Sequence, residues 1–254
     1  MICNLSHSGI SLEYNESQIE KAVLWERHCH AQYEIISVLE GDVNIMLEDQ
    51  SYRIKDNQTI LIPPFSYHTV TINDAHTYKR VTALFDISAL PDVLQQDFRR
   101  ICQDTRILTT PLMQQIKEIC VKANSDYYGP LLNSLLVQFF YEALSAAPST
   151  VDTDRDVFLH EAISYIDQHI HERISLNDLA AYTSRSKSSF CHLFKEKMKV
   201  SPKQYILEKK LAMAENFIAE GTPATIAAAR VGYDNYSSFY RIYRKYTQSP
   251  SGTE

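Results

Sequence analysis

The sequence predicts an α+β chain of several parts: an N-terminal antiparallel β-barrel with following helices, then a C-terminal all-α domain with two helix-turn-helix units. Three observations predict this. Residues 10–86 alternate short apolar runs with turns, residues 157–254 carry one helical pattern twice, and charge divides unevenly between the two halves. The length of 254 residues suits two domains, and 44% hydrophobic content supplies a core for each.

The strands come first. Apolar runs at Tyr33 to Leu39, Val43 to Leu47, Ser51 to Ile54, Thr59 to Ile62, His68 to Ile72 and Lys79 to Phe85 are rich in β-branched and aromatic residues, and argue for an antiparallel sandwich or barrel of short strands. Between them lie Glu40-Gly41-Asp42, Glu48-Asp49-Gln50, Lys55-Asp56-Asn57 and Pro63-Pro64, which read as turns. Nothing in the chain has the glycine spacing of a Rossmann fingerprint or a P-loop.

Two helical segments follow. Leu112, Ile116, Ile119 and Cys120 keep a helical period, as do Leu132, Leu135, Leu136, Phe139, Phe140 and Ala143. Periodicity alone leaves open whether they cover the barrel or pair with a second subunit. Ala146 to Asp154 is small and polar with one proline, and reads as a flexible linker.

The duplicated pattern fills the rest. Its first copy runs from Ser175 to Tyr182, turns, and continues from Ser186 to Lys195; its second runs from Thr225 to Tyr233, turns, and continues from Asn235 to Lys245. In each copy the second helix opens on a capping residue, spaces aromatic residues four apart and ends in basic side chains. Phe190 with Phe194, and Phe239 with Tyr243, then face the body of the domain. Gly232 supplies the permissive backbone that a helix-turn-helix turn needs.

The opposite faces carry short polar groups, an imidazole and cationic groups that suit a DNA major groove. We expect DNA contacts from Ser186, Lys187, Ser188, Cys191, His192 and Lys195 in one copy, and from Asn235, Tyr236, Ser237, Ser238, Arg241 and Lys245 in the other. One copy alone reads equally well as a packed hairpin with a solvated face. Two copies, separated by one connecting helix from Pro202 to Ala219, favour double-stranded DNA. The net charge of −6 hides the division: residues 157–254 hold 13 Lys and Arg against 10 Asp and Glu, while residues 1–156 hold 12 against 21. The nucleic-acid partner belongs with the C-terminal half.

Phe194-Lys195, Ser201-Pro202, Tyr205, Ala214, Val231-Gly232-Tyr233, Phe239, Arg241, Tyr243 and Ser249-Pro250 resemble the DNA-binding domain of AraC-type transcription regulators, over roughly residues 157–251. The chain departs from that pattern at Lys199, where the family usually has a helix-ending Gly, and at Lys210, where it usually has Arg. The resemblance implies a ligand-responsive, sequence-specific DNA-binding regulator. It also implies a homodimer paired through a helix after the barrel, with RNA polymerase as a further partner.

A second resemblance lies in the N-terminal half. His28-Cys29-His30, then Glu34 and Gly41, with Asn57, Pro63 and His68 downstream, look like the paired motifs of the cupin barrel; Asn57 and Phe65 stand where glycines are usual. In metal cupins the residues matching His28, His30, Glu34 and His68 converge on one ion. Two or three imidazoles and a carboxylate suit a divalent transition metal. The same residues also suit a metal-free ligand pocket or buried hydrogen bonding. We expect a small-molecule effector pocket lined by Trp25, His28, His30, Tyr33, Glu34 and His68, with no metal and no cofactor. The alternative is a metal-dependent cupin enzyme, an isomerase or dioxygenase, with a helical tail.

The expected division is a cupin-like sensor at 1–110, a helical dimerisation or covering segment at 111–147, a linker at 148–156 and the DNA-binding domain at 157–254. Five cysteines without CxxC spacing predict reduced, buried thiols. No signal peptide is visible, and Leu131 to Ala147 is too short and polar to span a bilayer, so the expected location is the cytoplasm.

Overall fold

The computed structural model describes residues 2–7, 9–19, 23–25, 27–72, 76–102, 105, 107–110, 115, 118, 128–147 and 156–248. Its strands are β1 (Ile2–His7), β2 (Ile10–Ile19), β3 (Val23–Leu24), β4 (Tyr33–Glu40), β5 (Val43–Leu47), β6 (Gln50–Ile54), β7 (Gln58–Ile62), β8 (His68–Ile72), β9 (His76–Phe85) and β10 (Ile107–Thr109). The helices are α1 (Asp92–Ile101), α2 (Tyr128–Ser145), α3 (Val157–Gln168), α4 (Leu176–Tyr182), α5 (Lys187–Met198), α6 (Pro202–Ala219), α7 (Ala224–Arg230) and α8 (Tyr236–Gln248). The period expected at Leu112, Ile116, Ile119 and Cys120, the linker residues 148–155 and the Ser249-Pro250 motif lie outside the described residues.

The strands form two antiparallel sheets, not a closed barrel: of the sandwich and the barrel that the strand spacing allowed, the sandwich is the one observed. One sheet has the order β1-β2-β9-β4-β7-β10 and the other β3-β8-β5-β6; among the described residues no ladder joins them. The reason lies in β4, seven of whose eight residues are buried. A central strand with two apolar faces needs cover on both sides. Ile36 and Val38 face the smaller sheet, in a core shared with Ile45, Ile54, Val70 and Ile72. Tyr33 and Ile35 face the other way, toward Phe98 of α1 and Leu132, Leu136, Phe139 and Phe140 of α2. At about 1.5–3 kcal/mol for each fully buried Leu or Phe, this covering is a large part of what holds the sheet domain together. So α2 covers a sheet, and its outer side still exposes Leu131, Tyr141 and Leu144.

In the C-terminal half the caps fall where the sequence put them. Ser186 accepts from the Ser189 amide at 3.3 Å, and Asn235 Oδ1 from the Ser238 amide at 2.9 Å. Phe190, Phe194 and Phe239 are fully buried and Tyr243 is half-buried. Each unit has its own core, the first around Phe190, Phe194 and Met198, the second around Leu211, Ala227, Val231 and Phe239. At Asn57, Phe65 and Lys199, where glycines were expected, the backbone stays left-handed, with φ of 60°, 63° and 63°. Of the described cysteines, Cys29 and Cys102 are buried thiols; Cys191 is only half-buried, because α5 turns that position to the rim of its core.

Candidate nucleic-acid interface and ligand site

Helices α5 and α8 present the expected residues on their free sides. Ser186, Lys187, Ser188, His192 and Lys195 are exposed, and Cys191 is half-buried. Asn235, Tyr236, Ser237, Ser238, Arg241 and Lys245 are exposed. Ser186 and Asn235 spend a side-chain oxygen on capping, so their share in any contact is reduced. Tyr240 and Arg244 were not singled out from the sequence, yet both are exposed on α8, and the Tyr240 ring lies 5.9 Å from that of Tyr236. The four-residue step from Tyr236 was the signal for Tyr240.

The second constellation forms in the sheet domain. His28 bridges to His68 by two main-chain hydrogen bonds of 3.1 and 2.9 Å, which set their rings 4.5 Å apart; His30 lies 5.8 Å from His28 and 5.2 Å from His68. One ligand atom from each ring lies within 4.8 Å of the others. The Glu34 carboxylate completes the group, 3.2 Å from His30 Nε2 and 2.9 Å from His68 Nε2. In His30 and His68 the Nδ1 atom faces the carbonyl of Gln32 or Ser66 at 2.9 Å, and this aims Nε2 inward. Burial alone would raise the pKa of Glu34, but the bonds and charges of His30 and His68 outweigh it and hold the carboxyl far below the usual range. Burial would lower His68; Glu34 and the Ser66 carbonyl outweigh that and raise it.

Comparison with known proteins decides the family. An AraC-like ligand binding domain model matches residues 16–140, and a helix-turn-helix domain model matches residues 179–253. A probable transcriptional regulator, LumQ, from Photobacterium leiognathi is 37% identical over 230 residues, covering 88% of this chain and 90% of its own. The chain belongs to the AraC-type transcription regulators. A further relative of this AraC-type regulator is the transcriptional activator RhaS of Klebsiella pneumoniae, 19% identical over 250 residues, with 94% of this chain and 90% of that protein covered. Among solved structures, ToxT from Vibrio cholerae matches with a TM-score of 0.46 and 12% identity over 93% of this chain and 94% of that one.

The AraC-type sensor brings together His28, His30, Glu34 and His68, but not every residue expected with them. Tyr33 points to the other face of β4, stacked 5.5 Å from Phe85 and edge-on to Phe98 at 5.1 Å. Adjacent strand residues face opposite ways, so Tyr33 and Glu34 cannot share a site. Trp25 does border the inter-sheet space, 5.9 Å from Tyr78 and 4.9 Å from the Arg80 guanidinium. Pairing sets Ile36 opposite Thr82 and Val38 opposite Arg80, so these β9 residues share the face that carries Glu34. Tyr78 Oη, Arg80 Nε and Thr82 Oγ1 are buried without an aligned hydrogen bond among the described residues. Arg80 and Thr82 were missed because only strand pairing puts them on that face, and Tyr78 because only packing sets it beside Trp25 in the inter-sheet core. Three imidazoles whose ligand atoms lie within 4.8 Å of one another, with a carboxylate beside them, also fit a divalent transition ion.

Proposed function

We propose that this ligand-responsive DNA-binding regulator takes its effector between the two sheets, at His28, His30, Glu34 and His68, with Trp25, Tyr78, Arg80 and Thr82 as further walls. The unmatched buried atoms there carry the reading. Such groups are normally satisfied, and a bound molecule with several oxygen or nitrogen atoms would satisfy them. The effector is therefore a polar small molecule rather than a purely apolar one. The chain is not an enzyme on this reading; its output is occupancy of a promoter in the cytoplasm. No described helix is long and apolar enough to cross a membrane.

In the same reading α5 and α8 enter successive major-groove segments, with Ser188, His192 and Arg241 at base edges and Lys187, Lys195 and Lys245 at phosphates. A second copy pairs through the exposed Leu131, Tyr141 and Leu144 of α2, and RNA polymerase meets the DNA-bound dimer. The test selects duplexes from a random pool with the full chain, then measures affinity for them. Arg241→Ala, and Ser188→Ala with His192→Ala, should each lose about 1–3 kcal/mol per base contact. Unchanged affinity in both variants removes α5 and α8 as readers.

A second reading of the sensor is favoured by the three convergent imidazoles: the occupant is a divalent transition ion. Elemental analysis of protein purified without chelator separates the two. Stoichiometric zinc, iron or manganese favours the ion, and metal-free protein whose melting temperature rises with a polar metabolite favours the small molecule.

A further inference from the structure

The segments that carry the histidines have a second face, and that face grips the DNA-binding domain. Arg27 donates to the Met198 carbonyl at the end of α5 (3.1 Å) and to the Glu48 carbonyl (2.6 Å). Cys29 and Tyr67, each next in sequence to a histidine of the cluster, pack into the core of the first helix-turn-helix unit, where the Tyr67 ring lies 4.9 Å from Tyr205 of α6. Alternation along an extended backbone produces this division: His28 and His30 turn inward while Cys29 turns out.

Glu48 is the centre of the contact. It sits in the β5–β6 turn with φ 52°, tied to Tyr67 by a main-chain bond of 2.8 Å and by its own carboxylate, which accepts from the Tyr67 amide at 3.0 Å. The same carboxylate accepts from Tyr205 Oη at 2.6 Å and from Lys209 Nζ at 3.1 Å, and Lys209 is also held by Asp167 at 2.7 Å. One carboxylate thus joins the strand end that bears His68 to the helix that connects the two helix-turn-helix units.

This contact lacks the completeness of a permanent core. Tyr67 Oη and Arg27 Nε are buried in it without a hydrogen bond among the described residues. Buried polar groups left unmatched, and charges taken out of water, weaken the docked state relative to one in which water reaches them. The grip lies on α6 and the end of α5, while the outward residues of α5 and α8 stay exposed.

We propose that Glu48 is the positioning residue through which the state of the histidine pocket reaches the DNA-binding domain. A change at His28, His30 or His68 shifts the paired segments, and the shift loosens or tightens the Glu48 hold on Tyr205 and Lys209. This rests on the pocket reading given above. It adds the route, and a route needs an element that both sites bias.

Hydrogen exchange on the full chain tests it without any effector. Glu48→Gln keeps the shape but weakens the charged contacts, and amides of α6 and the end of α5 should exchange roughly tenfold faster while those of α8 do not change. Glu34→Gln alters only the pocket, yet it should speed exchange in the same α6 amides, and adding it to Glu48→Gln should give no further increase. His30→Gln, at a half-exposed position, serves if Glu34→Gln does not fold. Pocket variants that change exchange only around the histidines, or effects that add independently, overturn the proposal. DNA affinity measured on the same samples reports separately on the regulator reading, which stands or falls without the Glu48 route.

Discussion

Lys210 lies against Gly232: its ammonium donates to the Val231 carbonyl at 2.6 Å and would stand 2.9 Å from a Cβ at position 232. The same ammonium donates to the Glu172 carbonyl at 2.5 Å, and His171 Nδ1 faces the Arg230 carbonyl at 2.9 Å. The loop before α4 is thereby tied to the turn of the second unit. Gly232→Ala puts a methyl group 2.6 Å from the Glu172 carbonyl oxygen at a φ of 77°, and should cost about 2–3 kcal/mol in denaturant unfolding. A loss under about 0.5 kcal/mol would mean that the seam is soft.

Lys210 also gives a pH signature. Burial pushes its pKa from 10.5 down to about 8, so the folded state releases this proton before the unfolded state does. Between pH 8 and 10.5 the unfolded chain binds more protons, and the Lys210 contribution to stability rises with pH in that window. The stability of wild type minus that of Lys210→Met should therefore increase from pH 8 to 10.5. A flat or falling difference contradicts a depressed ammonium.

Phe194 is fully buried between Phe190 and Tyr205. Phe194→Ala should destabilise the chain by about 3–5 kcal/mol. Because the ring faces away from α5's outer side, its loss should track thermal unfolding rather than base preference. Altered base preference at full stability would place this ring at the DNA.

Lys199 ends α5 in the left-handed region, and a side chain there is strained. Lys199→Gly should raise stability by roughly 1 kcal/mol, the reverse of the usual cost of glycine. Calorimetry showing destabilisation would mean that the Lys199 side chain holds a contact worth more than the strain.

Separability follows from the two cores. We expect residues 156–248 to fold alone, since Phe190, Phe194 and Phe239 pack within that segment, and to bind DNA more weakly than the full chain because a monomer loses avidity. Removing Cys29 and Tyr67 also strips one side of the first core, so the fragment should melt below the full chain. An unfolded fragment, by circular dichroism, would show that the sensor is part of that core.

The sequence by itself determined what depends on neighbours along the chain. Helix periods placed Phe190 and Phe194 inside, capping chemistry placed Ser186 and Asn235 at helix starts, and alternation put His28 and His30 on one side of Cys29. These are interactions over a few residues, where residue type fixes the outcome. Tertiary structure decided the rest. It selected two sheets over a closed barrel because β4 has two apolar faces to cover. It sent Tyr33 away from the histidines, and through the β4–β9 register it put Arg80 and Thr82 on the face that carries Glu34. It also joined Glu48 to Lys209 and Lys210 to Glu172 across long stretches of chain. No local pattern encodes such pairs, since their contact exists only once two distant apolar surfaces have packed and set the distance between them.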